Sequence, residues 1–403
     1  MENRIYKIKG KVQHYQWGGN RFLPQLLGTG NPDEKSFAEY WLGAHSNAPA
    51  EVATPGGDKL NDLLEAEPHL LGAQVQQQFG RLPYLFKVLD VKDMLSIQVH
   101  PSKAAAIEEF ARENKAGIPL NAAHRNYKDD NHKPEIMVAL SPFYLLHGFK
   151  TPDKMRATLL AVPELNLMLP VFGEHNYKNL YSFCMEMDQA AINATLQPLL
   201  DRIIPAYEQG GLSRSSPDFW AARAALTFNG PGTIDKGIFS VYLLNLVHLQ
   251  EGEAIFQDAG ILHAYLEGQN MELMANSDNV LRGGLTPKHV DVPELLKHVH
   301  FEPTVPQVIH GTKTNPHEEV YRSPAADFEL SRFSLRSGDE VSFSASTTDI
   351  FIVMEGNVQD KNSDGSELTL QKGEAAVAFA GTKVAMKALD ASVVFRASVP
   401  LAG

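Results

Sequence analysis

The first residues able to do chemistry lie in Leu95-Ser96-Ile97-Gln98-Val99-His100-Pro101. Ser96, Gln98 and His100 alternate with Leu95, Ile97 and Val99, a period of two that predicts a half-buried strand. Residues two apart on a strand point the same way, about 6.5 Å from each other, so Gln98 and His100 can converge on one point. Neutral imidazole is the commonest metal ligand, and an amide oxygen is an acceptable harder partner. Taken alone, His100 is better explained as a strand-end histidine bonded to nearby backbone. Further along, Asn131-His132-Lys133-Pro134-Glu135 brings an ammonium and a carboxylate to the start of an expected strand. Lys133 and Glu135 share a face of it by the i, i+2 rule. Gly260-Ile261-Leu262-His263 adds a second imidazole. Gln98, His100, Glu135 and His263 together form an N/O donor set suited to Zn²⁺, with at least one position left for water or substrate.

Residues 268–288 are the densest polar stretch. Glu272, Met274 and Asn276 alternate with Leu273 and Ala275, as on a strand leaving His263. Ser277-Asp278-Asn279 is turn chemistry, and Gly283-Gly284 lets the backbone approach a ligand closely. Arg282 and Lys288 are suited to a phosphate, the arginine through its planar fork and the lysine as a point charge.

The elements that must position these groups follow from the hydrophobic pattern. Strands are expected within 4–18, over Phe37–His45, Leu82–Val91, Leu95–His100 and Glu135–Leu140, and again from Ile238 to Leu243. Helical spacing occupies 58–80 and follows Pro101. From Pro152 to about Asn229 the pattern is helical throughout (Met155, Leu159, Leu160, then Ile192, Leu196, Leu199, Leu200) and carries no chemical motif. A proline- and polar-rich stretch over 303–326 reads as a linker. The remainder is short strands with turn signals at Gly356-Asn357 and Asp364-Gly365, as in an antiparallel sandwich or small barrel.

The 403 residues are enough for two to four domains. A net charge of −12, from 36 basic and 48 acidic residues, argues against nucleic acid or an anionic membrane as a partner, since both need a broad positive footprint. A small anionic ligand needs only a local basic cluster. The single cysteine, Cys184, leaves no internal disulfide and fits a reducing compartment. With no apolar signal region and no apolar run of about 18 residues, a soluble cytoplasmic protein is expected.

Leu249-Gln250-Glu251-Gly252-Glu253-Ala254 returns 121 residues later as Leu370-Gln371-Lys372-Gly373-Glu374-Ala375, each followed by a second glycine, Gly260 and Gly381. The run from Gly252 to His263 resembles the second signature motif of the cupin superfamily, with Asp258 where proline is usual. Gln98-x-His100 and Glu135 fit the first motif, with glutamine for histidine and a long insertion. In the second copy Val384 stands where the histidine belongs. The resemblance implies two jelly-roll barrels, one catalytic and one degenerate, with an inserted helical domain. The expected divisions are 1–150 with 236–302, 151–235, and 303–403.

Ser96-x-Gln-x-His-Pro, Tyr127-Lys-Asp-x-Asn-His-Lys-Pro-Glu135 and Met274-Ala-Asn-Ser-Asp-Asn-Val-x-Arg-x-Gly-Leu-Thr-Pro-Lys288 closely resemble the type I phosphomannose isomerases, as does Gln13-x-Tyr-x-Trp-Gly18. The likeness runs in order over residues 10–300 and is weak beyond 303. It implies a zinc-dependent aldose–ketose isomerase acting on mannose 6-phosphate and fructose 6-phosphate, with one Zn²⁺ per chain on Gln98, His100, Glu135 and His263. Arg282 takes the catalytic arginine's place. Ser96, Lys133, Glu272 and Lys288 take those of pocket residues, and Asp278 and Trp17 are expected to contact substrate. A monomer is expected, with no nucleic-acid or membrane partner. Glu272, Lys133 and a water on the metal are all candidate bases for proton transfer between C1 and C2 through a cis-enediol. Two other readings stay open: an Fe(II) cupin oxygenase, and a sugar-binding cupin whose metal only holds ligand.

Overall fold

The computed structural model describes residues 5–54, 56–361 and 367–400. Every pairing between named strands is antiparallel. One sheet runs Ile309–His310, Glu253–Gln257, Glu135–Ala139, His263–Ala275, Tyr84–Val91, Glu39–Gly43 and Lys11–Gln13. Its central member, His263–Ala275, serves two neighbourhoods. Its second half pairs with Tyr84–Val91 and Glu135–Ala139, and its first half with Phe143–Phe149 and Gln98–Val99. The change of partner falls at a bulge between Tyr265 and Glu267, where the extra residue bends the strand. Gly268 follows at φ +133, and a Cβ there would meet the Phe143 ring at 2.5 Å. One continuous strand can therefore bring His263, Tyr265 and Glu272 to a single interior.

Helices occupy Pro152 to Phe228, the longest being Gln189–Glu208. Its Ile192, Leu196, Leu199, Leu200 and Ile203 repeat at helical spacing and are buried in the block's core. Ile238–Leu243, expected as a strand, is instead the helix Gly237–Leu243, and the strand begins at Leu244. All seven residues of that helix are buried, so the run has no polar alternation to distinguish one periodicity from the other. Leu95–His100 is likewise shorter as a strand than expected, with only Gln98–Val99 in regular pairing. Leu95 N and Ile97 N still donate to Tyr265 and Gly284 carbonyls on opposite sides, so the stretch is held extended without a regular ladder. The 303–326 stretch is not all linker, since Ile309–His310, Thr312–Lys313 and Glu318–Tyr321 join sheets. Among the described residues no helix is long and apolar enough to cross a membrane.

A second sheet runs Thr312–Lys313, Glu318–Tyr321, Glu329–Leu335, Ser392–Ser398, Asp349–Glu355, Ala375–Ala378, Ile5–Lys9 and Glu51–Val52. The N-terminal strand and Glu51–Val52, which the sequence groups with residues 1–150, are thus paired with the C-terminal strands. Four further strands between Glu340 and Ala388 form a third sheet. Asp364-Gly365 lies outside the described residues.

The sequence repeat is also a structural one. Gly252 and Gly373 turn at φ +83 and +84, and their N–H groups donate to Ala139 and Val353 carbonyls. Glu253 and Glu374 each accept the N–H three residues earlier at 2.8 Å. Beyond the turn, Gln257 pairs with Glu135 and Ala378 with Asp349, while Met137 pairs with Glu272 and Phe351 with Arg396. Asp349 therefore stands at the register position of Glu135, and Arg396 at that of Glu272. Asp349 is fully buried, and the Arg396 guanidinium reaches its Oδ2 at 2.7 and 2.9 Å.

Candidate metal centre and active-site cavity

Gln98–Val99 is a two-residue strand between two functional neighbours, with Gln98 opposite His263 on one side and Arg282 on the other. His263 is opposite His147 in turn, so Arg282, Gln98, His263 and His147 form one cross-strand row. Residues directly opposite in a ladder project to the same side.

His100, Glu135 and His263 are buried, with ligand atoms all within 4.8 Å of one another. Glu135 Oε1 lies 3.4 Å from His100 Nε2, and Oε2 lies 3.6 Å from His263 Nε2. Each ring is oriented from behind. His100 Nδ1 donates to the Asn279 carbonyl at 2.8 Å and His263 Nδ1 to the Ile261 carbonyl at 2.9 Å. With Nδ1 carrying the proton, both Nε2 lone pairs face the carboxylate, and His100 Nε2 is buried without a hydrogen-bond partner. Two lone pairs and an anion turned on one another repel unless a cation lies between them. The arrangement fits a divalent metal on oriented imidazoles, and Gln98, half-buried beside His263 in the ladder, fits as a further donor.

Electrostatics point the same way. Burial lowers both imidazoles, His263 to about 3, which keeps them neutral. Burial alone would raise the Glu135 carboxyl, but the Lys133 ammonium at 3.4 Å outweighs it and holds the group well below the usual range. Glu272 behaves differently. Its burial raises the carboxyl, and neighbouring Glu135 and Glu39 add to the rise against the opposing pull of Lys87. Lys87 is buried, 3.1 Å from Glu272 and 3.4 Å from Glu39. Burial works against its ammonium, but the surrounding carboxylates outweigh that and raise it. More anions than cations are enclosed here, so the ammonium is well held while Glu272 is under-compensated. Tyr265 donates to the other Glu272 oxygen at 2.8 Å, and Gln257 Nε2 donates to that tyrosine at 3.1 Å.

A cavity of about 780 Å³ opens over this group, within the range that holds a small ligand. Ser96, Gln98, Lys133, Glu135, His263, Glu272, Asp278, Arg282, Lys288 and Trp17 all line it, while His100 sits buried behind. The structure thus gathers the expected metal-donor and pocket residues at one cavity, with Asn276 outside its lining. Asp278 hydrogen-bonds His45 at 3.2 Å, and Trp17 stacks on Tyr15. Burial lowers the Arg282 guanidinium and, with help from Arg282, the Lys288 ammonium. Among the described residues neither is in a salt bridge, so two cations face the cavity with no carboxylate in direct contact.

The catalytic-domain model of type I phosphomannose isomerase matches residues 5–152. The mannose-6-phosphate isomerase of Escherichia coli is 37% identical over 383 residues, covering 92% of this chain and 94% of that one. The chain belongs to the type I phosphomannose isomerases. The enzyme of Macaca fascicularis is 30% identical over 98% of both chains. Among solved structures, mannose 6-phosphate isomerase from Salmonella typhimurium bound to substrate, fructose 6-phosphate, and zinc aligns with a TM-score of 0.85 at 33% identity, over 98% of this chain and all of that one.

Against this family background, the residues that sequence reasoning missed are those that support the chemistry. Lys87 carried a visible signal as the one basic residue in Tyr84–Val91, where every residue is buried. A buried charge has to be paired. Glu39, Trp41, Tyr265 and Gln257 carried none, because only the cross-strand register shows what they touch. Asn279 reads as a turn residue, yet it is fully buried, and its amide bonds the backbone of Lys128, Asp129 and Asn131 while its carbonyl orients His100.

Proposed function

We propose that this chain is a metal-dependent isomerase interconverting mannose 6-phosphate and fructose 6-phosphate by proton transfer between C1 and C2 through a cis-enediol. The observation that carries the reading is the His100–Glu135–His263 cluster facing the same cavity as two cations outside any salt bridge, Arg282 and Lys288. One Zn²⁺ per chain would be held by His100, Glu135, His263 and Gln98. When bound it supplies a Lewis acid for an oxygen on which negative charge grows. Arg282, across the ladder from Gln98, is placed to stabilise the enediolate. Glu272 takes the proton-carrying role over Lys133, because its carboxyl is raised and oriented by Tyr265 whereas Lys133 is engaged with Glu135. Lys288 and Ser96, with Lys133, meet the 6-phosphate, and Asp278 and Trp17 contact the sugar.

The same reading extends to the architecture. The matched turns and registers support two cupin-type jelly rolls, the second without metal chemistry, and a helical domain inserted over 151–235. It also takes the protein as a cytoplasmic monomer without nucleic-acid or membrane partners. The deciding experiment is turnover of mannose 6-phosphate before chelation, after it, and after zinc is returned. Activity indifferent to chelation, or restored by iron and not by zinc, would refute the proposal.

A further inference from the structure

Asp235 lies where the helical block returns to the sheets, ahead of Gly237–Leu243, and does not itself line the cavity. Its carboxylate nevertheless gathers three backbone N–H groups. Oδ1 accepts from Gly237 at 2.7 Å and Leu285 at 2.8 Å, and Oδ2 accepts from Thr286 at 3.2 Å. Leu285 is a buried non-glycine residue at φ +53, a conformation that persists only where the surroundings over-determine it. The two backbones meet there without side chains. A Cβ on Gly237 would lie 2.6 Å from Leu285 N, and one on Gly284 would lie 2.5 Å from Gly237 Cα. On the other side, Ile97 N donates to the Gly284 carbonyl and Gly283 N to the Ile97 carbonyl. Gly283 to Thr286 is thus clamped between the Gln98 stretch and Asp235. Arg282 precedes the clamp, and Lys288 follows it with its N–H caught by the Thr286 hydroxyl at 3.1 Å.

We infer that Asp235 is a positioning residue for the anion end of the cavity. By holding Leu285 and Thr286 it sets the angle at which Lys288 meets the substrate phosphate, and this gives the helical block a part in binding. The inference rests on the assignment of Lys288 to the phosphate made above. A carboxylate that merely stapled the helical block to the sheets would affect stability and leave substrate affinity alone.

The test uses the zinc-loaded enzyme and its Asp235→Asn, Asp235→Ala, Lys288→Ala and Asp235→Ala/Lys288→Ala variants. It reads kcat, KM for mannose 6-phosphate, Ki for inorganic phosphate, and zinc content. Asp235→Ala is expected to raise KM and Ki on the order of tenfold, the scale of one charge-assisted contact, with zinc content full and kcat within about twofold. Asp235→Asn keeps the acceptor for Gly237 and Leu285 and falls between, and it carries the test if the alanine variant does not fold. In the double variant, loss of Asp235 adds little to loss of Lys288. Wild-type KM and Ki in the Asp235 variants, or losses that multiply with that of Lys288→Ala, overturn the inference. If Lys288→Ala alone changes neither constant, the phosphate assignment falls first and this inference with it.

Discussion

Arg282 stands directly opposite Gln98 in the ladder, on the far side of the same two-residue strand that pairs with His263. The Arg282 backbone is therefore fixed relative to the His100–Glu135–His263 cluster by ladder hydrogen bonds and not by a flexible loop. Arg282→Ala should lower kcat by about 10²–10³, the scale of removing one preorganised donor to a developing oxyanion, while zinc content stays full. Steady-state kinetics together with metal analysis decide it, and near-normal turnover would remove Arg282 from the reaction.

Lys87→Met leaves Glu39 and Glu272 buried without their shared cation. Breaking a buried pair from one side costs about 3–5 kcal/mol. Denaturant unfolding of the zinc-free protein should show a loss of that order. A change below about 1 kcal/mol, the value of an exposed pair, would mean that water reaches this site.

The acid limb of kcat/KM tests Glu272. A carboxyl raised by burial is protonated, and so lost as a base, at a pH where an ordinary glutamate of about 4.3 is still ionised. Activity should fall as pH drops through that raised value, tenfold per unit beneath it, with zinc kept saturating. A limb at or below the ordinary carboxylate range would assign the proton to another group.

Two buried histidines make the metal-free protein acid-sensitive. Burial lowers His147 to about 4 and His263 to about 3. Both sit below the unfolded value of about 6.5, so between these limits the unfolded chain binds the extra protons. Their contribution to stability is complete above about pH 6.5 and is lost as pH falls toward the folded values, at up to about 1.4 kcal/mol per unit for each histidine. Unfolding free energies measured from pH 7 to pH 4 after chelation should slope accordingly. His147→Phe should reduce the slope, and an unchanged slope would show that His147 is solvated.

The candidate metal donors could be picked out of the chain because each sits in a local pattern: alternation around Gln98 and His100, a charged motif opening the Glu135 strand, and glycine spacing before His263. Lys87 was readable in principle, as the one basic residue in a buried strand. Tyr265, Glu39 and Asp235 were not, since their roles depend on which distant backbone or side chain they face, and the sequence carries no local record of that. The helix Gly237–Leu243 was misread for a related reason, because a run buried on all sides presents no polar face. One of the N-terminal strand's two partners, Ala375–Ala378, lies more than 360 residues away, beyond any local signal.

The Asp349–Arg396 pair gives the C-terminal half a counter-ion tethered to its own backbone. A chelator cannot strip a guanidinium, and no physiological pH discharges it, so the charge at the Asp349 position is built into the chain, whereas the matching Glu135 position faces His100 and His263 with room for an exchangeable cation.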